Sequence, residues 1–179
     1  IPPDNPFPGS PVYSYGHRNP QGLAWHPLTG DLFAAEHGPI GYDEVNILQP
    51  GKNYGWPLVT GRRGQPSYVD PIIDYSPSIA PSGATFYSGE LYPGWKNSLL
   101  FATLVGVHLH RIVLKSPDYR EVASEERLFQ GELGRLRVIL RQAVGRGEQE
   151  WERFFDLLGR ENLRVARRQG EVVAGLGIY

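Results

Sequence analysis

Between Tyr15 and Asn46 the chain reads YGHRNPQGLAWHPLTGDLFAAEHGPIGYDEVN. Strand-like runs alternate here with three histidines, an arginine, two asparagines and a group of acids. In GHRNPQG, Arg18 offers a planar fork of donors that suits a carboxylate, while Asn19 and Gln21 can donate and accept. The flanking Gly16 and Gly22 let a ligand come close to the backbone. The plainer reading of these residues is a polar loop that satisfies its own backbone. In EHGPIGYDEVN, Glu36, Asp43 and Glu44 lie beside the carbonyls of a Gly-Pro turn. Hard cations such as calcium take carboxylates and carbonyls together, so a Ca²⁺ site is chemically reasonable. The ligand ladder of an EF-hand is absent, and the plainer reading is a solvated acidic loop. His37 is read as a hydrogen-bonding loop residue. His108 and His110, two residues apart in HLH, share one face of a strand and are read as structural or exposed.

These residues need elements to hold them. GLAWHPLTGDLFAAEHG reads as two strands around the turn HPLTGD. GATFYSG, SLLFATLVG and HLHRIVL are further strand candidates, with GELYPGWKN as a loop between the first two. Pro, Gly and Asn punctuate this part about every ten residues, which predicts an all-β architecture of sandwich, barrel or propeller type. NYGWP and SPSIAPSG read as well-packed turns. No short repeat is visible, although propeller blades diverge readily.

The last part follows another grammar. All 16 prolines and all 5 histidines precede Gly134. Before Gly134 there are 9 basic and 13 acidic residues; from Gly134 onward there are 9 and 6. In EQEWERFFDLLGREN, Trp151, Phe154, Phe155 and Leu158 recur at helical spacing, and LRVARRQGEVVAGLGIY reads as a hairpin around RQGE. The expected division is an all-β unit over 1–139 and a helix-hairpin segment of different origin over 140–179, with the junction between about Arg135 and Gly147.

The whole chain has 179 residues, 40% hydrophobic and 21% charged, which is globular composition. Its net charge of -1 gives no global attraction to nucleic acid or an anionic membrane. The absence of cysteine excludes disulfides and thiolate metal sites. No apolar run of about 18 residues is present, so membrane insertion is not expected. The chain starts at Ile1 and contains no methionine, so it is expected to be a fragment. No nucleophile elbow, Walker loop or dinucleotide fingerprint occurs.

The ordered motifs RNPQG, EHGP, DEVN and NYGWP, continued by PSIAPSGATFYSG and ERLFQGELGRLR, resemble the soluble PQQ-dependent aldose sugar dehydrogenases of the glucose/sorbosone dehydrogenase family. The resemblance covers about residues 1–139 and implies part of a six-bladed β-propeller. It implies an enzyme that oxidises an aldose at the anomeric carbon to a lactone, passing hydride to pyrroloquinoline quinone (PQQ) held on Ca²⁺. It further implies that Arg18, Asn19, Ser78, Arg135 and Arg137 contact PQQ, that Gly38 and Pro39 hold its calcium through carbonyls, and that Glu44 and Tyr54 bind a second, structural calcium. A further family position for a cationic PQQ partner falls on Val105. The family's catalytic histidine belongs to an earlier blade, so no catalytic residue is assigned and little turnover is expected from this chain alone. The family setting implies an aldose as substrate, an artificial or respiratory electron acceptor, no nucleic-acid partner, and a periplasmic or secreted location. The alternatives are a non-catalytic calcium- or sugar-binding propeller module, and an acetyltransferase defined by the tail. The tail EWERFFDLLGRENLRVARRQGEVVAGLGIY resembles the start of an Eis-like GNAT acetyltransferase, without that fold's pyrophosphate loop.

Overall fold

The computed structural model describes residues 1–130 and two later strands, Ala166–Arg168 and Glu171–Val173. Residues 1–130 form two four-stranded antiparallel sheets, each joined in chain order. The first contains β1 (Pro20–Trp25), β2 (Leu32–Glu36), β3 (Asp43–Leu48) and β4 (Ile73–Tyr75). The second contains β5 (Pro81–Phe86), β6 (Leu99–Thr103), β7 (His108–Leu114) and β8 (Val122–Leu128). Two consecutive four-stranded meanders are the blade pattern of a partial β-propeller, and the all-β expectation holds.

The β1–β2 hairpin shows how the sequence builds a blade. Its turn closes with the His26 amide donating to the Asp31 carbonyl (2.8 Å) and the Gly30 amide donating to the His26 carbonyl (2.9 Å). His26 Nδ1 accepts from the amides of Leu28 (3.3 Å) and Thr29 (3.2 Å), so the side chain satisfies turn donors from inside. The ring is buried against Phe33, Phe86 and Tyr119, and this burial lowers its pKa, with Asp31 opposing the effect.

The core joins the sheets through Phe33, Val45 and Ile47 from the first and Phe86, Leu99, Phe101 and Ile112 from the second. Strand β5 packs on β1 and β2. Gly22 makes that approach possible: a Cβ there would lie 2.5 Å from the Ala84 amide and 2.6 Å from the Ser82 carbonyl. The seam is therefore a backbone-to-backbone contact that only glycine fits.

Three strands lie where the sequence gives no strand signal. β3 carries DEVNIL, expected as a solvated acidic loop. Instead, Asp43 and Asn46 are completely buried, because five donors satisfy the Asp43 carboxylate. β4 has only three residues, and β8 is a charged edge with an almost fully exposed interior. The short strands Ala166–Arg168 and Glu171–Val173, here β9 and β10, pair antiparallel around the expected RQGE turn. The helix expected over Trp151–Leu158 lies outside the described residues.

Candidate functional site

The site forms at the end of the first sheet, where the loop entering β1 meets the loop joining β2 to β3. Glu36, the last residue of β2, organises it. Its carboxylate is 4% exposed and accepts from the backbone amides of Arg18 and Asn19, the latter at 2.9 Å, and from His17 Nδ1 at 3.1 Å. Because a carboxylate only accepts, His17 Nδ1 donates to it, while Nε2 lies 2.8 Å from Ser14 Oγ. The His17 ring stacks on Tyr54 with centroids 4.5 Å apart. A buried anion thus folds the Arg-Asn turn and fixes where its side chains start.

From that turn, Arg18 Nη1 donates to the carbonyls of His37 and Gly38, both at 2.9 Å, and the guanidinium lies 5.4 Å from the Trp56 ring centroid. The two carbonyls point to one place and already attract a positive group. The turn that holds them is tight, since a Cβ on Gly38 would sit 2.6 Å from the Tyr42 carbonyl. Arg18, Gly38, Pro39, Glu44 and Tyr54 line one small cavity together with Trp56. Five residues named from sequence therefore meet in one place. Trp56 was missed, because NYGWP reads from sequence only as a packed aromatic turn.

The remaining named residues sit differently. Asn19 Oδ1 accepts from Gln21 Nε2 at 2.6 Å, and its carbonyl accepts from the His37 amide at 3.0 Å. Ser78 is not on the cavity wall; its Oγ donates to Asp43 (2.8 Å to Oδ2) and lies 3.3 Å from His37 Nδ1. Arg135 and Arg137 lie outside the described residues. The Tyr54 hydroxyl donates to the Ile47 carbonyl (2.6 Å) and accepts from the Gln49 amide (2.8 Å), so the phenol is committed to the protein interior. Burial pushes that phenol up to about 12. Val105 is exposed in the β6–β7 turn, its amide donating to the Ile79 carbonyl at 3.1 Å.

Asp43 links the site to the second sheet. Its carboxylate accepts from His37 Nδ1 and the Gly38 amide, both 2.8 Å, on the site side. On the other side it accepts from Ser78 Oγ and from the amides of Ile79 (2.7 Å) and Ala80 (2.8 Å). Burial alone would raise its pKa, but the hydrogen bonds from His37, Gly38, Ser78 and Ala80 prevail and hold it below the ordinary carboxylate value.

Glu44 behaves oppositely. Burial, with the charges of Glu36 and Asp74, raises its pKa, while the Asn46 side chain (3.0 Å) and the Gly61 amide (2.7 Å) donate to it and act the other way. The site is thus a pocket of acids and carbonyls in which Arg18 is the cation nearest the turn. Among the described residues, no three His, Asp or Glu side chains are arranged to hold a metal ion, so any cation here would rest on carbonyls as much as on carboxylates.

Comparison with known proteins bears on the family and the fold. The family model for glucose/sorbosone dehydrogenase matches residues 1–146. The aldose sugar dehydrogenase YliI of Escherichia coli strain K12 is 38% identical over 122 residues, 58% of this chain and 33% of its own length. Quinoprotein glucose dehydrogenase B of Acinetobacter calcoaceticus is 51% identical over 72 residues, 38% of this chain and 15% of its own. Among solved structures, the PQQ-bound aldose sugar dehydrogenase of Streptomyces coelicolor superposes with a TM-score of 0.63 at 44% identity, covering 73% of this chain and 36% of that one. The chain spans about a third or less of the length of the curated relatives named here. With the family model matching residues 1–146 and two consecutive four-stranded blades, the chain belongs to the glucose/sorbosone dehydrogenase family.

Proposed function

We propose that this chain supplies the cofactor-binding loops of a PQQ-dependent aldose sugar dehydrogenase. The observation that carries the reading is the Arg18 contact: one guanidinium joins the carbonyls of His37 and Gly38 beside Trp56, in a cavity also lined by Pro39 and Glu44. A tricarboxylate needs a cation with a forked donor, and a bound calcium needs convergent carbonyls; both chemistries meet here. The residues present fit both groups, since the carbonyls already hold a cation of the protein's own.

PQQ on Ca²⁺, when bound, accepts hydride from the anomeric carbon of an aldose and leaves a lactone, with the metal polarising the quinone. In this proposal Arg18 turns from the carbonyls of His37 and Gly38 to a PQQ carboxylate, which frees the Gly38 carbonyl to hold calcium together with that of Pro39. Glu36 keeps the Arg18–Asn19 turn in place, Trp56 offers a flat apolar surface, and Asp43 holds the Gly38 turn and Ser78 at a fixed separation. Arg135 and Arg137 add positive charge toward the tricarboxylate, and Glu44 with Tyr54 takes the structural calcium, Tyr54 through its carbonyl because its phenol is occupied. The proposal includes a six-bladed ring, a unit boundary near residue 139, a periplasmic or secreted setting and a respiratory or dye acceptor. No residue of this chain is assigned as the catalytic base, and little turnover is expected from the chain by itself.

The test is a titration of the full chain with PQQ, with and without Ca²⁺, followed by tryptophan fluorescence and cofactor absorbance. Saturable, calcium-dependent binding that weakens at least tenfold in Arg18→Ala supports the reading; a hydrogen bond to a charged group is worth about 1.5–3 kcal/mol. A calcium-induced rise in melting temperature with no response to PQQ would instead make the chain a calcium-binding propeller module.

A further inference from the structure

Away from this site, a row of polar groups crosses from the second sheet to the edge of the first. His108 Nδ1 lies 2.9 Å from the Gly106 carbonyl, and His108 Nε2 lies 3.0 Å from His110 Nδ1. His110 Nε2 lies 2.8 Å from Glu125 Oε2, and the Tyr75 hydroxyl donates to that same oxygen at 2.7 Å. Both histidines are 2% exposed. The His110 ring stacks on Phe101 at 5.0 Å, which fixes its plane. Tyr75 comes from β4 of the first sheet, the histidines from β7 and Glu125 from β8, so the row bridges the two sheets.

The row has four contacts, and each needs one hydrogen. The Gly106 carbonyl can only accept, so His108 Nδ1 carries a proton. Two neutral imidazoles supply two hydrogens, Tyr75 supplies a third, and an ionised Glu125 supplies none. One more proton is required. Tyr75 cannot stand in for it: its hydroxyl also lies 3.3 Å from His110 Nε2, but its single hydrogen serves one acceptor. Without the fourth proton, one contact of His110 sets two acceptors face to face, either its Nε2 against the Glu125 carboxylate at 2.8 Å or its Nδ1 against His108 Nε2 at 3.0 Å, according to the tautomer.

We infer that His108, His110 and Glu125 hold one extra proton in common, and that this proton fastens β7 to β8, beside the Tyr75 contact from β4, as a pH-sensitive clasp. The atoms balance: as pH rises, the shared proton leaves to solvent past the partly exposed Glu125, and one of the two His110 contacts loses its hydrogen. The groups facing His110 are His108 on its own strand, Tyr75 on β4, and Glu125 and Arg127 on β8. Burial, with His108 and Arg127, outweighs Glu125 and lowers the pKa of His110 itself. The proton therefore belongs to the group of residues rather than to one ring. Opening the clasp has a defined reach. The Gly106 end is tied to the connector between the sheets, because the Gly106 amide donates to the Ile79 carbonyl at 3.2 Å.

Two measurements on the full chain test this. Long-range ¹H–¹⁵N NMR at about pH 6 is expected to show His108 protonated on Nδ1 and the extra proton on an imidazole or on Glu125. Two neutral imidazoles beside an ionised Glu125, with the rings otherwise in place, would overturn the inference. The second measurement is melting temperature from about pH 5 to about pH 9 for the wild type and Glu125→Gln. The amide of Gln supplies the missing hydrogen permanently, donating to His110 Nε2 and to the Tyr75 oxygen. The wild type is expected to lose stability relative to Glu125→Gln as pH rises, and parallel profiles would refute the clasp. Should Glu125→Gln fail to fold, the NMR result on the unaltered chain decides alone.

Discussion

At the residue scale, two buried carboxylates do more for the site than the side chains facing the cavity. Glu36 receives three hydrogen bonds, and Gln could keep its carbonyl acceptor but would aim an NH₂ at the remaining N–H donors. Glu36→Gln is expected to lower stability by about 2–4 kcal/mol in urea unfolding at neutral pH. A loss near zero would show that the Arg-Asn turn holds without its anion. Asp43 is the stronger case, because its five donors come from the β2–β3 loop and from the connector between the two sheets. Asp43→Asn should cost about 3–5 kcal/mol and speed hydrogen exchange at the Ile79 and Ala80 amides. Unchanged exchange at those two amides would remove Asp43 from its role as the link. Its depressed pKa fixes the sign of its pH dependence. The folded chain binds the proton less readily than the unfolded one, so the contribution is present above about pH 4 and fades as pH falls through the folded value. Neither role was legible in the sequence, where Glu36 and Asp43 resemble cation ligands. Residue types report what a carboxylate can bind, but not whether a hydroxyl and backbone amides from a connector 35 to 37 residues away reach it first.

At the scale of elements, legibility followed amphipathic pattern. The β1–β2 hairpin and strands β5, β6 and β7 were readable because apolar runs are bounded by Pro, Gly and Asn. β3 was not, since burial on both faces removes the alternation on which such readings rest, and its acids belong to internal networks. β8 was hidden for the opposite reason: as a charged edge strand it keeps its side chains in water, as edge strands do. His108 and His110 were placed on one strand face from their spacing, and of the two readings, structural or exposed, the structure supports the first, since both are buried and paired. The packing of one blade on the next rests on Gly22, which no periodicity reveals. Gly22→Ala is expected to cost about 1–3 kcal/mol by forcing β1 away from β5, whereas Gly83→Ala on β5, where a Cβ meets nothing within 4 Å, should cost less. Equal losses for the two variants in thermal melts would contradict a backbone seam at Gly22.

At the scale of the molecule, Gly22, Asp43 and the shared core make the two sheets one unit, so a titration at their junction is felt by the whole described body. His26 sits at that junction, its ring 6.2 Å from Phe33 of the first sheet and 4.8 Å from Phe86 of the second. Burial lowers its pKa below the usual 6.5, with Asp31 opposing. The unfolded chain therefore binds a proton at pH values where the folded chain does not. Stability is fully present above the unfolded value and is lost as pH falls below it toward the folded pKa. Protonation would also end acceptance of the Leu28 and Thr29 amides by Nδ1, so the hairpin turn loosens with the core. In urea unfolding between about pH 7 and about pH 5, His26→Leu is expected to show a shallower fall in stability than the wild type. It should also be less stable at pH 7, because Leu leaves both turn amides without their acceptor, at a cost of about 1–3 kcal/mol. The other four histidines remain in both proteins, so the difference between the two slopes isolates His26. Identical slopes would mean that the ring stays neutral in both states across this range, and that acid sensitivity resides elsewhere in the chain.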